Sequence, residues 1–511
     1  MADTHLSKPT SSIIAIDAGT TGIRAIAFEA ESNKILSISY RELTQFFPRP
    51  GWVEHDPNEI WNCVQKTLED VAHKLHETSS NVVAIGITNQ RETILAWDRT
   101  TGKPLYNAIV WQDRRTTEQC NELKKRDLGE LIGQTTGLLI DPYFSASKIK
   151  WLKDSDYLSA KNIFVGTVDS WIVWNLTGGV GEGVHRTDPS NASRTMLYDI
   201  KQRCWSQELM DLFEVDKTWL AEVCPSSAII GKYKTSTRSS LPQGVPIAGI
   251  AGDQAAALFG QACFTPASAK TTYGTGSFVL MNAGSTLPRP SNRVLTSIAW
   301  ELDDSIVSRY PKLCYALEGA VFSTGSTIQW LRDGLGIITQ ASGLESLARQ
   351  VSSTEGVTIV PAFTGLGCPW WDPNAKGSIY GISKGIGRSH LALAVIESIA
   401  FQVRDAFDAM RQVTSFTTDL ELRVDGGAAA MELLLQLQSD QLQIPVARSS
   451  TIETSALGCA WLAGLGVKLY DSVESLESKW SYDLRVEPKV SKAGADASHD
   501  EWLRLVEKTL T

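Results

Sequence analysis

The stretch IIAIDAGTTGIRAIAFE, residues 13–29, decides how the rest of the chain is read. An apolar run through Ile13, Ile14 and Ile16 breaks at Asp17-Ala18-Gly19-Thr20-Thr21-Gly22, and a second run resumes through Ile23, Ile26 and Phe28. This spacing predicts a β-hairpin. Gly19 and Gly22 supply turn geometry that side chains would forbid, and Thr20 and Thr21 bring hydroxyls beside backbone N–H groups. A turn of this size can hold phosphate oxygens in a nest of N–H groups, with Asp17 placed to anchor magnesium. Taken alone, the same residues also read more simply, as an ordinary hairpin with an acid at its corner. No Gly-Lys-Ser/Thr follows, so the turn is not a P-loop, and the glycine spacing is not the dinucleotide fingerprint.

Half a chain later the pattern returns. In AKTTYGTGSFVLMNAG, residues 269–284, Gly274-Thr275-Gly276 sits between two apolar runs as Gly19-Thr20-Thr21 does. The repeat predicts an internal duplication, two similar α/β lobes that clasp a polyphosphate in the cleft between them. Around the first hairpin, SISYRELTQF and VVAIGIT read as strands, and Asp56-Pro57 opens a helix with proline at its first position. Strands then alternate with helices up to GVPIAGIAG, ending at residue 252, which fits an α/β fold whose lobes move about a hinge. Two helices are expected to support the second lobe: SHLALAVIESIAFQVRDAFDAMRQV, residues 389–413, and the small, apolar TSALGCAWLAGLGV, residues 454–467.

A chain of 511 residues holds two or more domains, and 43% hydrophobic with 21% charged residues is the balance of a globular protein. A net charge of −9 without a basic stripe excludes a general nucleic-acid binder. Eight scattered cysteines are expected to stay reduced. The polar start MADTHLSKPTSS lacks a signal-peptide core, no apolar run is long enough to span a membrane, and KTLT is not a peroxisomal tail, so a cytoplasmic location is expected. His73 and His76 share a helix face, but two histidines alone do not make a zinc site.

Three further stretches carry chemistry. LRVDGGAAA, residues 422–430, ends a strand in Asp425-Gly426-Gly427-Ala428, where a flat ring or a phosphate can approach the backbone. GIAGDQAAALFG, residues 249–260, puts Asp253 where a strand gives way to a helix, as a proton acceptor for an attacking hydroxyl or as a helix N-cap. TNQRET, residues 88–93, crowds an amide, a cation and an anion onto a buried strand end. It suits hydrogen-bond readout of a hydroxylated molecule or, equally, a structural ion-pair network, with Arg91 and Glu92 on opposite faces if the strand stays extended.

Longer stretches decide between these readings: FPRPGWVEHDP, GITNQRET, YNAIVWQDRRT, IDPYFSASKIKWL, TDPSNASRTML, GIAGDQAAALFGQ, TYGTGSF, YALEGAVF, VPAFTGLGCPWWDP and LRVDGGA. Through them the chain, from about residue 12 to 470, resembles the FGGY carbohydrate kinase family, in particular its glycerol-phosphorylating branch. The resemblance implies a pair of duplicated ribonuclease-H-like lobes of the actin/hexokinase ATPase type around a nucleotide cleft. It places one lobe at 12–252, the second at 253–470 and a C-terminal helical extension at 471–511. It implies use of ATP and Mg2+, glycerol as substrate, and a homodimer or homotetramer. Arg91, Glu92, Trp111, Tyr143, Asp253, Gln254 and Phe278 would form the glycerol pocket, with Asp253 as general base. Thr20, Thr21, Gly22, Arg24, Gly274, Thr275, Gly276, Gly325, Gln329, Gly426, Gly427 and Ala428 would line the nucleotide, with Asp17 near the metal. The chain departs from the family pattern at Ala18, Gly22 and Met431, where Gln, Ser and Asn are usual, and STRSSLPQG replaces the glycine-rich loop through which some bacterial members bind fructose 1,6-bisphosphate. Two rivals stand beside this reading: a kinase for another small polyol, and a non-catalytic nucleotide-gated binding protein.

Overall fold

In the computed structural model, which describes residues 10–159, 162–235, 238–414, 416 and 421–511, the opening hairpin forms as expected. Strand β1 (Ser11–Ala18) pairs antiparallel with β2 (Gly22–Glu29), Asp17 opposite Arg24, and the Gly19 N–H donates to the Gly22 carbonyl at 3.0 Å. The first nine residues of MADTHLSKPTSS, and Ser236 and Thr237 at the start of STRSSLPQG, lie outside the described residues. β1 is apolar at nearly every position because it is central in its sheet, with β2 on one side and β4 (Asn81–Asn89) on the other. With β3 (Ile35–Glu42) and β5 (Pro246–Gly252), the order is Gly231–Lys232, β5, β4, β1, β2, β3; β5, β4 and β1 run parallel and the remaining pairings are antiparallel. Helix α1 (Pro57–Glu77) starts where Asp56 accepts a hydrogen bond from the Asn58 N–H, and its Ile60, Val64, Leu68, Val71 and Leu75 bury one stripe against this sheet. The strand Ile94–Asp98 belongs to a small separate sheet with Glu54–His55, Ala108–Ile109 and Ile163–Thr167.

The second half repeats the plan. Strands β6 (Ala269–Tyr273), β7 (Ser277–Gly284), β8 (Leu295–Glu301), β9 (Leu313–Val321), β10 (Leu422–Asp425), β11 (Val446–Ser449) and β12 (Tyr482–Val486) form a sheet in the order β8, β9, β7, β6, β10, β11, β12. Without the edge strand β8, its succession of antiparallel and parallel pairings is that of the first sheet, and the two phosphate-sized turns occupy equivalent places. The duplication read from two hairpins is thus a duplication of whole sheets.

Two expectations are corrected. Helix α2 (Asp253–Gly260) begins the link between the halves, and the helix α3 (Arg388–Val413) supports the second sheet as expected, followed by α4 (Glu432–Leu442). Helix α5 (Thr454–Gly466), however, leaves the second lobe and packs on β1, β4 and β5 of the first sheet and against α2. A Cβ at Gly458 would lie 1.8 Å from the Ala256 carbonyl oxygen, so glycine is what lets the two helices approach this closely. The segment 471–511 is not wholly helical: β12 pairs antiparallel with β11 and completes the second sheet. Its final helix, α6 (Lys492–Glu507), docks on α3 through His499 Nε2 and Trp502 Nε1, at 2.7 and 2.8 Å from the two oxygens of the buried Asp405. Among the described residues, no helix is long and apolar enough to cross a membrane.

Candidate active site

Parallel strands bring their carboxyl ends to one edge of a sheet, and ligands of open α/β sheets bind outside that edge. Register places Ala18 and Gly252 each beside Asn89, so the Gly19–Gly22 turn, the Gln90–Thr93 segment and Asp253 all leave the first sheet together. On the second sheet Thr272 pairs with Asp425, which sets the Gly274–Gly276 turn beside Gly426–Ala428.

Asp253 is the first residue of α2, with Gly252 in the capping position, so the N-cap reading is displaced by one residue. Its Oδ1 accepts from the Gln254 N–H at 2.7 Å and lies 3.2 Å from Arg91 Nε, and the side chain keeps 32% of its surface exposed. The first turn of a helix is a favourable place for a carboxylate.

Arg91 and Glu92 do not lie on opposite faces, because β4 ends at Asn89 and Glu92 takes a φ of 62°. Both instead enter a buried network. Arg91 Nη1 and Nη2 donate to Glu318 at 2.6 and 3.0 Å, and Arg194 Nε donates to Glu92 Oε1 at 2.5 Å. Arg194 Nη2 lies 3.3 Å from Glu318, closing a chain of two guanidiniums and two carboxylates. Burial pushes the Glu318 carboxyl up, but the Arg194 and Arg91 charges outweigh it and hold the group down at about 2. At Glu92 burial wins over the same two cations, and the carboxyl is raised. The Nε–H of Arg91 is left buried without a hydrogen-bond partner beside Asp253, the kind of orphaned donor that a ligand oxygen would satisfy.

An aromatic wall stands next to these charges. Trp111 lies 5.5 Å from the ring of Tyr143 and 6.4 Å from that of Phe278. Burial raises the Tyr143 hydroxyl well above its ordinary value and keeps it protonated. The Gln254 amide oxygen accepts from the buried ammonium of Lys270, which also donates to Thr272 Oγ1 at 2.8 Å. A lysine has only donors, so this contact turns the Gln254 amide N–H groups away from Lys270. The structure therefore brings together every residue expected in the polyol pocket. Beside them it sets Arg194, Glu318 and Lys270, of which only Glu318 showed in the sequence as a charge inside an apolar run, the other two lying among small polar residues.

The nucleotide edge is assembled less completely. Thr20 Oγ1 accepts from Trp111 Nε1 at 2.9 Å, and the Thr21 carbonyl accepts from the Tyr40 hydroxyl at 3.2 Å. Gly22 leaves room for the Tyr40 ring, which a Cβ there would meet at 2.3 Å. Arg24 pairs with Glu453 at 3.0 Å instead of standing free for phosphate. In the second turn, the Gly325 and Ser326 N–H groups donate to the Gly274 and Thr275 carbonyls, each at 3.0 Å, and a Cβ on Gly325 would come 2.6 Å from Gly274 O. Gly276 completes this turn, with its carbonyl accepting from the Gly274 N–H at 2.8 Å, and Gln329 ends the helix that Gly325 begins. Gly426 has φ +89°, Gly427 has open space where a Cβ would point, and Ala428 packs on the second-lobe core. Met431 belongs to that core too, which accounts for an apolar residue at this position.

Asp17 sits behind the first turn. Burial chiefly, and then the charges of Asp253 and Glu453, raise its carboxyl to about 7 against the pull of Arg24. This surplus of oxygen ligands fits a hard divalent cation bound through a carboxylate, waters and substrate phosphates. Among the described residues no cluster of three or more His, Cys, Asp or Glu side chains would cage a metal by protein ligands alone.

Residues 12–260 match the N-terminal domain, and residues 269–467 the C-terminal domain, of the FGGY family of carbohydrate kinases. The chain is 47% identical to a glycerol kinase of Chromobacterium violaceum, with 97% of each chain covered, and 45% identical to one of Aeromonas hydrophila, with 99% of each covered. Among solved structures it is similar to a Plasmodium falciparum glycerol kinase with ADP, at 34% identity and a TM-score of 0.91, covering 98% of this chain and 99% of that one. A xylulose kinase from Lactobacillus acidophilus shares the fold at 21% identity and a TM-score of 0.84, covering 97% and 96%.

Proposed function

Because the chain belongs to the FGGY family of carbohydrate kinases, we propose that it transfers the γ-phosphoryl group of ATP to a terminal hydroxyl of glycerol, giving sn-glycerol 3-phosphate and ADP. The observation that carries this reading is the Asp253 carboxylate 3.2 Å from Arg91 Nε, whose N–H makes no hydrogen bond, beside the Trp111, Tyr143 and Phe278 wall. A triol offers hydroxyls for the polar side and CH faces for the aromatic side.

Asp253 accepts the proton as the glycerol oxygen forms its bond to the γ-phosphorus, while the bond from that phosphorus to the bridging oxygen breaks and ADP departs. Arg91 and Gln254 donate to the substrate oxygens, and the buried Glu318 and Arg194 hold Arg91 and Glu92 in place. The Gly19 and Gly274 N–H groups close their own turns, and the N–H groups that follow them, at Thr20, Thr21 and Thr275, face the phosphate oxygens. Magnesium held at Asp17 would neutralise charge on the β- and γ-phosphates. The product feeds glycerol breakdown and lipid-precursor supply.

The reading is tested by ADP release from purified protein and MgATP, with and without glycerol and in competition with dihydroxyacetone and erythritol, with product identification. Strong glycerol-dependent release yielding glycerol 3-phosphate is expected. Turnover confined to another polyol, or nucleotide binding without glycerol-dependent release, overturns it.

A further inference from the structure

The motif Asn89-Gln90-Arg91-Glu92-Thr93 supplies two residues, Arg91 and Glu92, to the polyol pocket, and leaves Gln90 and Thr93 without a role. Both are buried, and both belong to one closed ring of hydrogen bonds. Gln90 Nε2 donates to the Gly19 carbonyl in the first turn at 3.3 Å, and Gln90 Oε1 accepts from the Thr93 hydroxyl at 3.0 Å. That hydroxyl in turn accepts from the Trp111 backbone N–H at 3.1 Å, and the Trp111 indole N–H donates to Thr20 Oγ1 at 2.9 Å, one residue beyond Gly19. Gln90 Nε2 also lies 3.4 Å from His55 Nδ1, and its backbone N–H bonds the Ala18 carbonyl at 2.8 Å. The ring therefore runs from the aromatic wall of the polyol pocket to the backbone and hydroxyl of the phosphate turn and back.

The donor inventory gives the ring a direction. An indole N–H is donor only, so it occupies an acceptor side of the Thr20 oxygen. The Thr20 O–H is then the group left to turn outward, as a donor. On the Thr93 oxygen, the Trp111 backbone N–H takes the acceptor side and the Gln90 amide oxygen takes the proton, which leaves the Thr93 rotor a single setting. Chains of this kind polarise one another and resist piecemeal change.

We propose that Gln90 and Thr93 are positioning residues that couple the two substrate sites: they lock Trp111 to Thr20, so that the Thr20 hydroxyl presents its proton to a nucleotide phosphate and a phosphate there is registered at the polyol wall. This inference rests on the phosphoryl-transfer reading above. Coupling two sites through shared fixed groups is reciprocal, so glycerol seated against Trp111 tightens nucleotide binding by the same factor as nucleotide tightens glycerol.

The test follows the Trp111 indole N–H resonance of nitrogen-15-labelled full-length protein, identified by its absence in Trp111→Phe, as MgADP is added without glycerol. The expected result is a clear shift in wild type, kept in Thr93→Ser and reduced at least fourfold in Thr93→Val. In Thr93→Val the factor by which glycerol tightens MgADP binding falls to near one, and Thr93→Ser restores it. A silent Trp111 signal in wild type overturns the proposal whether or not Thr93→Val folds, as does a full response in folded Thr93→Val. Glycerol turnover in wild type is scored separately. Its loss with a responsive indole removes glycerol as the substrate and leaves the ring standing, whereas normal turnover with a silent indole removes the ring alone.

Discussion

Asp253 combines two properties that a general base for phosphoryl transfer needs: a carboxylate reachable from the cleft, and neighbours that fix its direction. The Gln254 N–H at 2.7 Å and Arg91 Nε at 3.2 Å provide the second, and one-third exposure provides the first. Asp253→Asn keeps the size and the contact with the Gln254 N–H but cannot take a proton. Its kcat is expected to fall about a thousandfold, within the range ascribed to general-base catalysis, with the glycerol Kd and the melting temperature nearly unchanged. Steady-state kinetics with calorimetric titration of glycerol check this, and near-wild-type turnover would remove Asp253 from the role. At this scale the sequence was legible where a residue acts through its own backbone position, as at Gly426 or Gly427. It was opaque for Arg194 and Glu318, because each acquires its meaning from a partner far along the chain. Arg24 shows the same limit in reverse, since nothing near it announces its pairing with Glu453.

Hairpins and parallel strands were readable at the level of the element because alternation and glycine turns are local signals. The helix α5 was readable as a helix, and its small residues announced tight packing. Which surface would receive it was not written locally, and it is the first sheet, not the second. A direct consequence concerns Gly458. Gly458→Ala puts a methyl 1.8 Å from a backbone carbonyl that cannot move without shifting α2, so a large loss is expected, comparable to the costlier core substitutions at roughly 3 kcal/mol or more. Gly129→Ala, at the start of the helix Gly129–Thr136 with open space around its Cβ, serves as the control and should stay within about 0.5 kcal/mol of wild type. Chemical denaturation of both variants decides it; equal stabilities would mean that α5 and α2 are not held at this distance in solution.

For the whole molecule, the decisive contact is Glu318, a second-lobe strand residue buried between two cations of the first lobe. Removing one partner of a buried pair leaves the others unpaired, so Glu318→Gln should cost about 3–5 kcal/mol and lower the melting temperature accordingly. The pH dependence has a definite sign. The folded-state carboxyl, at about 2, lies below its ordinary 4.5, so its stabilisation is complete above about pH 4.5 and is lost as the pH falls towards 2. Glu318→Gln should lack this acid-dependent loss, and unfolding curves of both proteins between pH 5 and 3 (a span set by ~1–2 units around the carboxyl's ordinary value) test it; parallel curves would show that Glu318 is not the titrating bridge. The seat of α5 has a last consequence, in time instead of space. During synthesis, β1 and β2 leave the ribosome long before the helix that covers them, residues 454–466. The nascent first sheet must therefore wait, one apolar face bare, until that helix is made, an interval in which the chain depends on not aggregating.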